Sequence, residues 1–174
     1  MKRVFISIEL PENIKKEIQK IQEKLPEFHG KKTEFENLHL TLKFLGEIDD
    51  EKIEEVRKRL NKVEFKKLEC GIDEIGVFNE KFIKIVWIHL NGCEELQKKI
   101  DEFLFGLFGK EKRFMSHITI ARIKSVKDKK KFLGELKKIK LKEIKFVVDK
   151  FRLMESVLMP EGPKYKTIEE YNLK

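Results

Sequence analysis

Residues 3–10, "RVFISIEL", alternate apolar and polar side chains and are rich in β-branched types, which predicts a half-buried strand. Pro11 follows where a helix can start, and Ile14, Ile18, Ile21 and Leu25 then recur at steps of four, three and four up to Pro26, one apolar helix face. Leu38 to Leu45 reads as a strand ended by Gly46, and Asp49 and Asp50 supply the N-cap and dipole chemistry of a helix whose face is Ile53, Val56 and Leu60. A long strand is predicted over about 65–78. From Lys81 the order recurs: the strand "KFIKIVWIHL", a helix with Leu96, Ile100, Phe103 and Leu107 on one face, the strand "SHITIARI", a Lys-rich helix near 127–138 and a long strand near 142–158. The end of the chain carries a Pro-Glu-Gly-Pro turn and a short alternating stretch, a further strand packing back on one lobe.

Landmarks of the first half reappear 78 residues later, so that residue 39 maps to 117 and residue 50 to 128. The unit is too long for a solenoid repeat and two copies are too few for a propeller. The expectation is an α+β fold, residues 1–174 forming one bilobal domain. Two pseudo-symmetric βαβαβ lobes (about 1–80 and 81–160, with 161–174 added to one of them) would face a central cleft with antiparallel sheets.

That symmetry gives meaning to two short stretches, "ENLHLTLKFLGE" and "MSHITIARIK". Each holds a His-x-Thr inside an apolar strand, and side chains on a strand alternate between faces. His39 and Thr41 therefore point one way while Leu40 and Leu42 enter the core, and His117 and Thr119 do the same in the second half. Across a pseudo-two-fold the two polar pairs meet in one cleft. Two imidazoles with ordinary pKa values of about 6.5 suit a general base and a general acid near neutral pH. The hydroxyls can donate to the non-bridging oxygens of a tetrahedral group held between them, and a phosphodiester fits that description. Zinc is the next reading, but two histidines lack the further ligands most zinc sites need, and no carboxylate or Cys stands at matching spacing. His29 and His89 have no threonine partner, and His89, at the end of an apolar strand, reads as structural.

Composition bears on the partner. The 174 residues carry a formal net charge of +8, which favours polyanions, nucleic acid above all. Most of that charge is scattered Lys, and Arg numbers only six. Charged residues make up 40% of the chain, chiefly Lys and Glu, as in proteins from hot organisms. Cys70 and Cys93 have no metal-like spacing and read as buried or free thiols of a reducing cytoplasm. The N-terminal apolar run is too short for a signal peptide and none reaches membrane-spanning length.

"FISIELP", "ENLHLTLKFLGE", "HITIARI" and "GPKY", in this order, resemble the 2H phosphoesterase superfamily, specifically its LigT-like branch of RNA 2′,3′-cyclic phosphodiesterases, also called 2′-5′ RNA ligases. The resemblance covers nearly the whole chain. It implies metal- and cofactor-independent opening of a terminal 2′,3′-cyclic phosphate to a 2′-phosphate, and reversible joining of that end to a 5′-hydroxyl RNA. It also implies His39 as proton donor to the leaving 3′ oxygen, His117 as the group that activates water, and Thr41 and Thr119 as phosphate ligands. The pseudo-symmetry alone leaves the two histidine roles exchangeable. Ser116 stands where the family commonly has Pro, which alters backbone stiffness without removing a reacting group. The expected partner is RNA with a 2′,3′-cyclic phosphate end, tRNA fragments among the candidates, acted on by a cytoplasmic monomer. Other cyclic phosphates, 2′-5′ oligonucleotides and a non-catalytic RNA-binding role are the alternatives. No Gly-rich phosphate loop argues for a nucleotide effector.

Five residues after each histidine stand Phe44 and Arg122. Strict alternation turns both to the core. That suits Phe44, with stacking on a base as its second reading, and is costly for an unpaired Arg. Arg122 is therefore expected past the regular part of its strand, at the cleft rim, where the resemblance also implies ligand contact. Trp87 lies in a strand apolar enough for it to be core.

Overall fold

The computed structural model describes residues 1–174. In chain order the elements are β1 (Lys2–Glu9), α1 (Glu12–Glu23), β2 (His29–Lys32), a single 3-10 turn (Phe35–Asn37), β3 (His39–Ile48), α2 (Asp50–Leu60) and β4 (Leu68–Val77). The second half continues with β5 (Ile85–Asn91), α3 (Glu94–Phe103), β6 (His117–Ser125), α4 (Lys129–Lys138), β7 (Ile144–Val148), β8 (Lys150–Met159) and β9 (Gly162–Asn172).

Local chemistry explains the boundaries. Asp49 accepts a hydrogen bond from the Lys52 N–H at 2.8 Å, and Asp128 accepts one from the Lys131 N–H at 3.0 Å, so α2 and α4 begin at carboxylate caps. Ile14, Ile18 and Ile21 of α1, and Leu96 and Ile100 of α3, are buried as their spacing requires. Leu25 and Leu107 fall just beyond their helices, which stop at Glu23 and Phe103. β3 does not end at Gly46: it runs to Ile48, and Gly46 adopts a φ of +79°, which its missing Cβ permits, opposite Val4 where the register slips.

All strand pairs are antiparallel, in two sheets with the orders β3-β1-β8-β9 and β2-β6-β5-β4-β7. The architecture is α+β, with the two motif strands, β3 and β6, in different sheets. The halves of the chain do not coincide with the sheets, however. The first half sends β2 and β4 into the second sheet and the second half sends β8 and β9 into the first, so each sheet draws strands from both of the halves read over about 1–80 and 81–160. The stretch expected as one strand over 142–158 is divided at Asp149 into β7 and β8, one in each sheet. No Gly or Pro marks that crossing, and side-chain alternation reports which face of a strand is buried, not which sheet it joins. β9 pairs with β8 along its length. Side chains from both sheets join one continuous core of 38 buried residues.

Trp87 is 7% exposed and lies against β4 at Gly76, where an added Cβ would fall 2.7 Å from its ring. Gly76→Ala is therefore expected to lower stability by about 1–3 kcal/mol, as overpacking does. Urea denaturation measures it, and an unchanged midpoint would contradict this packing.

Candidate active site

β3 and β6 repeat one local design. The His39 ring sets Nδ1 2.7 Å from the Asn37 carbonyl, and the His117 ring sets Nδ1 2.8 Å from the Met115 carbonyl, in each case two residues upstream. A carbonyl only accepts, so in both rings Nδ1 carries the proton and Nε2 is the nitrogen left for chemistry. At His39 the Thr41 hydroxyl lies 3.0 Å from Nε2 and donates to it. His39, Thr41, His117 and Thr119 all line one cavity of about 850 Å³.

Arg122 and Phe44 line it too. The β1–β3 register passes from Ser7↔Thr41 to Ile6↔Lys43, skipping Leu42, and the β5–β6 register passes from Trp87↔Thr119 to Val86↔Ala121, skipping Ile120. Each skip is a β-bulge at the residue after the threonine, and it reverses the phase of the residues that directly follow. Lys43 and Ala121 turn inward and are buried, while Phe44 and Arg122 turn out. Phe44 is 57% exposed, so the expectation of a core Phe44 is corrected. Arg122 reaches the cleft because of the bulge, and not because the strand has ended, since β6 continues to Ser125.

Several lining residues were not singled out from the sequence. Tyr165 of β9 packs edge-on to the His39 ring at 5.0 Å between centroids; behind the wall, the buried Phe5 lies 5.1 Å from the same ring. Phe78, just past β4, packs edge-on to His117 at 4.8 Å. Arg3, Lys31, Lys32 and Arg113 add positive charge to the wall. "GPKY" contains Tyr165, and Lys43 is a visible charge in an apolar run; the other residues carry no signal that periodicity detects. The β8–β9 turn closes one side, where Lys31 donates to the Glu161 carbonyl at 2.6 Å and Asn37 to the Pro163 carbonyl at 3.0 Å.

Outside the cleft, His29 is exposed on β2, and His89 sits 2.7 Å from the Asp73 carboxylate, which also accepts from Asn91. Trp87 is buried, as expected of core. Cys70 and Cys93 are free, buried thiols, both pushed up to about 12 by burial. Ser116 is buried with its hydroxyl 3.0 Å from the Cys93 sulfur. No group of three or more His, Cys, Asp or Glu side chains is placed to hold a metal ion. No helix is long and apolar enough to cross a membrane.

The LigT like Phosphoesterase family model matches residues 8–87 and 90–165. The chain belongs to this family. This LigT-like phosphoesterase is 39% identical over 175 residues to a Methanocaldococcus jannaschii protein named RNA 2′,3′-cyclic phosphodiesterase, covering 97% of this chain and 99% of the relative. A Thermotoga maritima protein of the same name is 36% identical, covering 97% and 94%. In fold, the LigT-like phosphoesterase matches a Thermus thermophilus structure with a TM-score of 0.81 at 24% identity, over 98% of this chain and 97% of that one. It matches Escherichia coli LigT complexed with 3′-AMP with a TM-score of 0.80 at 22% identity, over 99% and 98%.

Burial pushes the His39 imidazole down from 6.5 to about 4; the Asn37 carbonyl opposes this, and the charges of Lys15, His117 and Arg122 add to it. An unfolded chain takes up this proton near 6.5 and the folded one near 4, so the unfolded state binds more protons between those values. The stability that His39 contributes as a neutral ring is complete above about pH 6.5 and is lost as pH falls through about 4. Denaturant titrations over that window are expected to show wild-type stability falling more steeply than that of His39→Gln; parallel curves would contradict the assignment.

Proposed function

We propose that this protein is an RNA 2′,3′-cyclic phosphodiesterase that opens the terminal cyclic phosphate to a 2′-phosphomonoester. The observation that carries the reading is the pair of imidazoles lining the same cavity, each with Nδ1–H committed to a main-chain carbonyl and each followed two residues later by a threonine. The names of the Methanocaldococcus jannaschii and Thermotoga maritima relatives support it.

In the proposed reaction the cyclic phosphate lies between the two Nε2 atoms. Thr41, Thr119 and Arg122 donate to its non-bridging oxygens, where negative charge grows in the transition state. His117 takes a proton from water, the hydroxide oxygen bonds to phosphorus, the P–O3′ bond breaks, and His39 gives its proton to the departing 3′ oxygen. A proton returns from His117 to His39 through solvent to close the cycle. His39 is neutral in the empty cleft at pH 7, so it takes up its proton with the substrate. An anionic phosphate against Nε2 favours the charged ring and offsets the repulsion from Lys15 and Arg122. Reversal, with a 5′-hydroxyl in place of water, would form a 2′-5′ linkage.

The cleft wall suits an RNA end. Arg3, Lys31, Lys32 and Arg113 offer charge to phosphates, and the exposed rings of Phe44 and Phe78 offer platforms on which a base can stack, each worth about 1–3 kcal/mol.

The test is turnover of a 2′,3′-cyclic phosphate-ended oligonucleotide by His39→Ala and His117→Ala. Each is expected to lose about 100- to 10,000-fold in kcat, the range of general acid–base contributions, with circular dichroism unchanged. Wild-type turnover by either variant would overturn the proposal.

A further inference from the structure

Lys43 occupies the inward position created by the first bulge, and its charge is buried. Its ammonium lies 2.6 Å from the Asp101 carboxylate of α3, with side-chain exposures of 2% and 6%. It also donates to the Gly109 carbonyl at 2.7 Å. Asp101 accepts in turn from the Glu111 N–H at 2.8 Å and the Gln97 amide at 3.0 Å. Burial by itself would raise the Asp101 carboxyl, yet Lys43, the Glu111 N–H and Gln97 together hold it below its ordinary range.

A buried ion pair is weak support for stability, because desolvation offsets much of the attraction. Its connections are more informative. Lys43 belongs to the strand that carries His39 and Thr41. Gly109 and Glu111 belong to the connection between α3 and β6, whose far end supplies the Met115 carbonyl that fixes the His117 ring. The Ser116 carbonyl accepts from the Leu90 N–H at 3.3 Å, a long bond at the strand side. The connection is thus fastened at one end to the second sheet and at the other to the strand of the opposite motif.

We infer that Lys43 and Asp101 are positioning residues: they tie the strand of the first His-x-Thr to the segment whose carbonyl sets the tautomer and direction of His117, and so register the two imidazoles against each other. This rests on reading His117 as a reacting group. The symmetry of the fold supports it, since the other bulge is gripped in the same manner. Gln22 of α1, also buried, donates at 2.9 Å to the carbonyl of Ile120, the skipped residue of β6, and at 2.9 Å to that of Thr33. Each motif strand is held at its bulge by a polar side chain from the first helix of the opposite half.

The test uses Lys43→Met together with Asp101→Leu, so that neither charge is left buried alone. Long-range ¹H–¹⁵N correlation spectra of the histidine rings in the free protein read the tautomers without reference to activity. Wild type is expected to show both rings as Nδ1–H. In the double variant His117 is expected to become a tautomer mixture while His39, held by Asn37 outside the braced segment, stays unchanged. Turnover of the cyclic phosphate is expected to fall about 10- to 100-fold in kcat with KM within about 2-fold, the signature of misplaced reacting groups. A single Nδ1–H tautomer at His117 with wild-type kcat would overturn the inference. Should the double variant not fold, Lys43→Gln is read by the same spectra: a mixture at His117 supports the inference and a single tautomer overturns it. Were wild type inactive on cyclic phosphates, the spectra would still decide the brace, and only the proposed activity would fall.

Discussion

A strand presents alternate side chains to one side, and the cleft depends on breaking that rule twice. On a regular strand His39 and Thr41 would be followed into the cavity by Lys43, and His117 and Thr119 by Ala121. The bulges at Leu42 and Ile120 place Phe44 and Arg122 there instead. One skipped residue in each strand therefore decides whether the cavity is flanked by an aromatic ring and a guanidinium, or by a lysine and a methyl group. Bulges weaken the ladder locally, and both of these are secured from outside it: Lys43 by Asp101 and Gly109, and the Ile120 carbonyl by Gln22.

Much of this was legible in the sequence for definable reasons. The four helices and most strands declared themselves because apolar residues recur at helical or alternating spacing, and His39, Thr41, His117 and Thr119 stood out because the same polar intrusion occurs at matching places in two halves. β2 was missed because "HGKK" is short, polar and exposed on both faces, with no alternation to read. The exchange of β4 and β8 between sheets was missed because periodicity reports faces and not partners. The choice between the core and cleft readings of Phe44 is not legible because a bulge inserts no Gly or Pro at these positions and looks, in sequence, like an ordinary strand.

The site's electrostatics follow from the same construction. Packing by Phe5 and Tyr165 removes water from His39, and the cations around it favour the neutral ring. A cleft that repels a proton when empty and welcomes an anion couples substrate entry to protonation. In the proposed reaction, charge that is unfavourable in the free protein becomes useful once phosphate is between the rings. In the same proposal the basic wall serves that end by drawing in RNA ends at low salt.

The claim at the centre is that two positioned imidazoles open a cyclic phosphate in one direction. Phosphorus NMR of the products from a dinucleotide ending in a 2′,3′-cyclic phosphate tests it most directly. The account predicts conversion of the cyclic resonance to a single 2′-phosphomonoester. Persistence of the cyclic resonance, or appearance of the 3′-phosphomonoester, would contradict it.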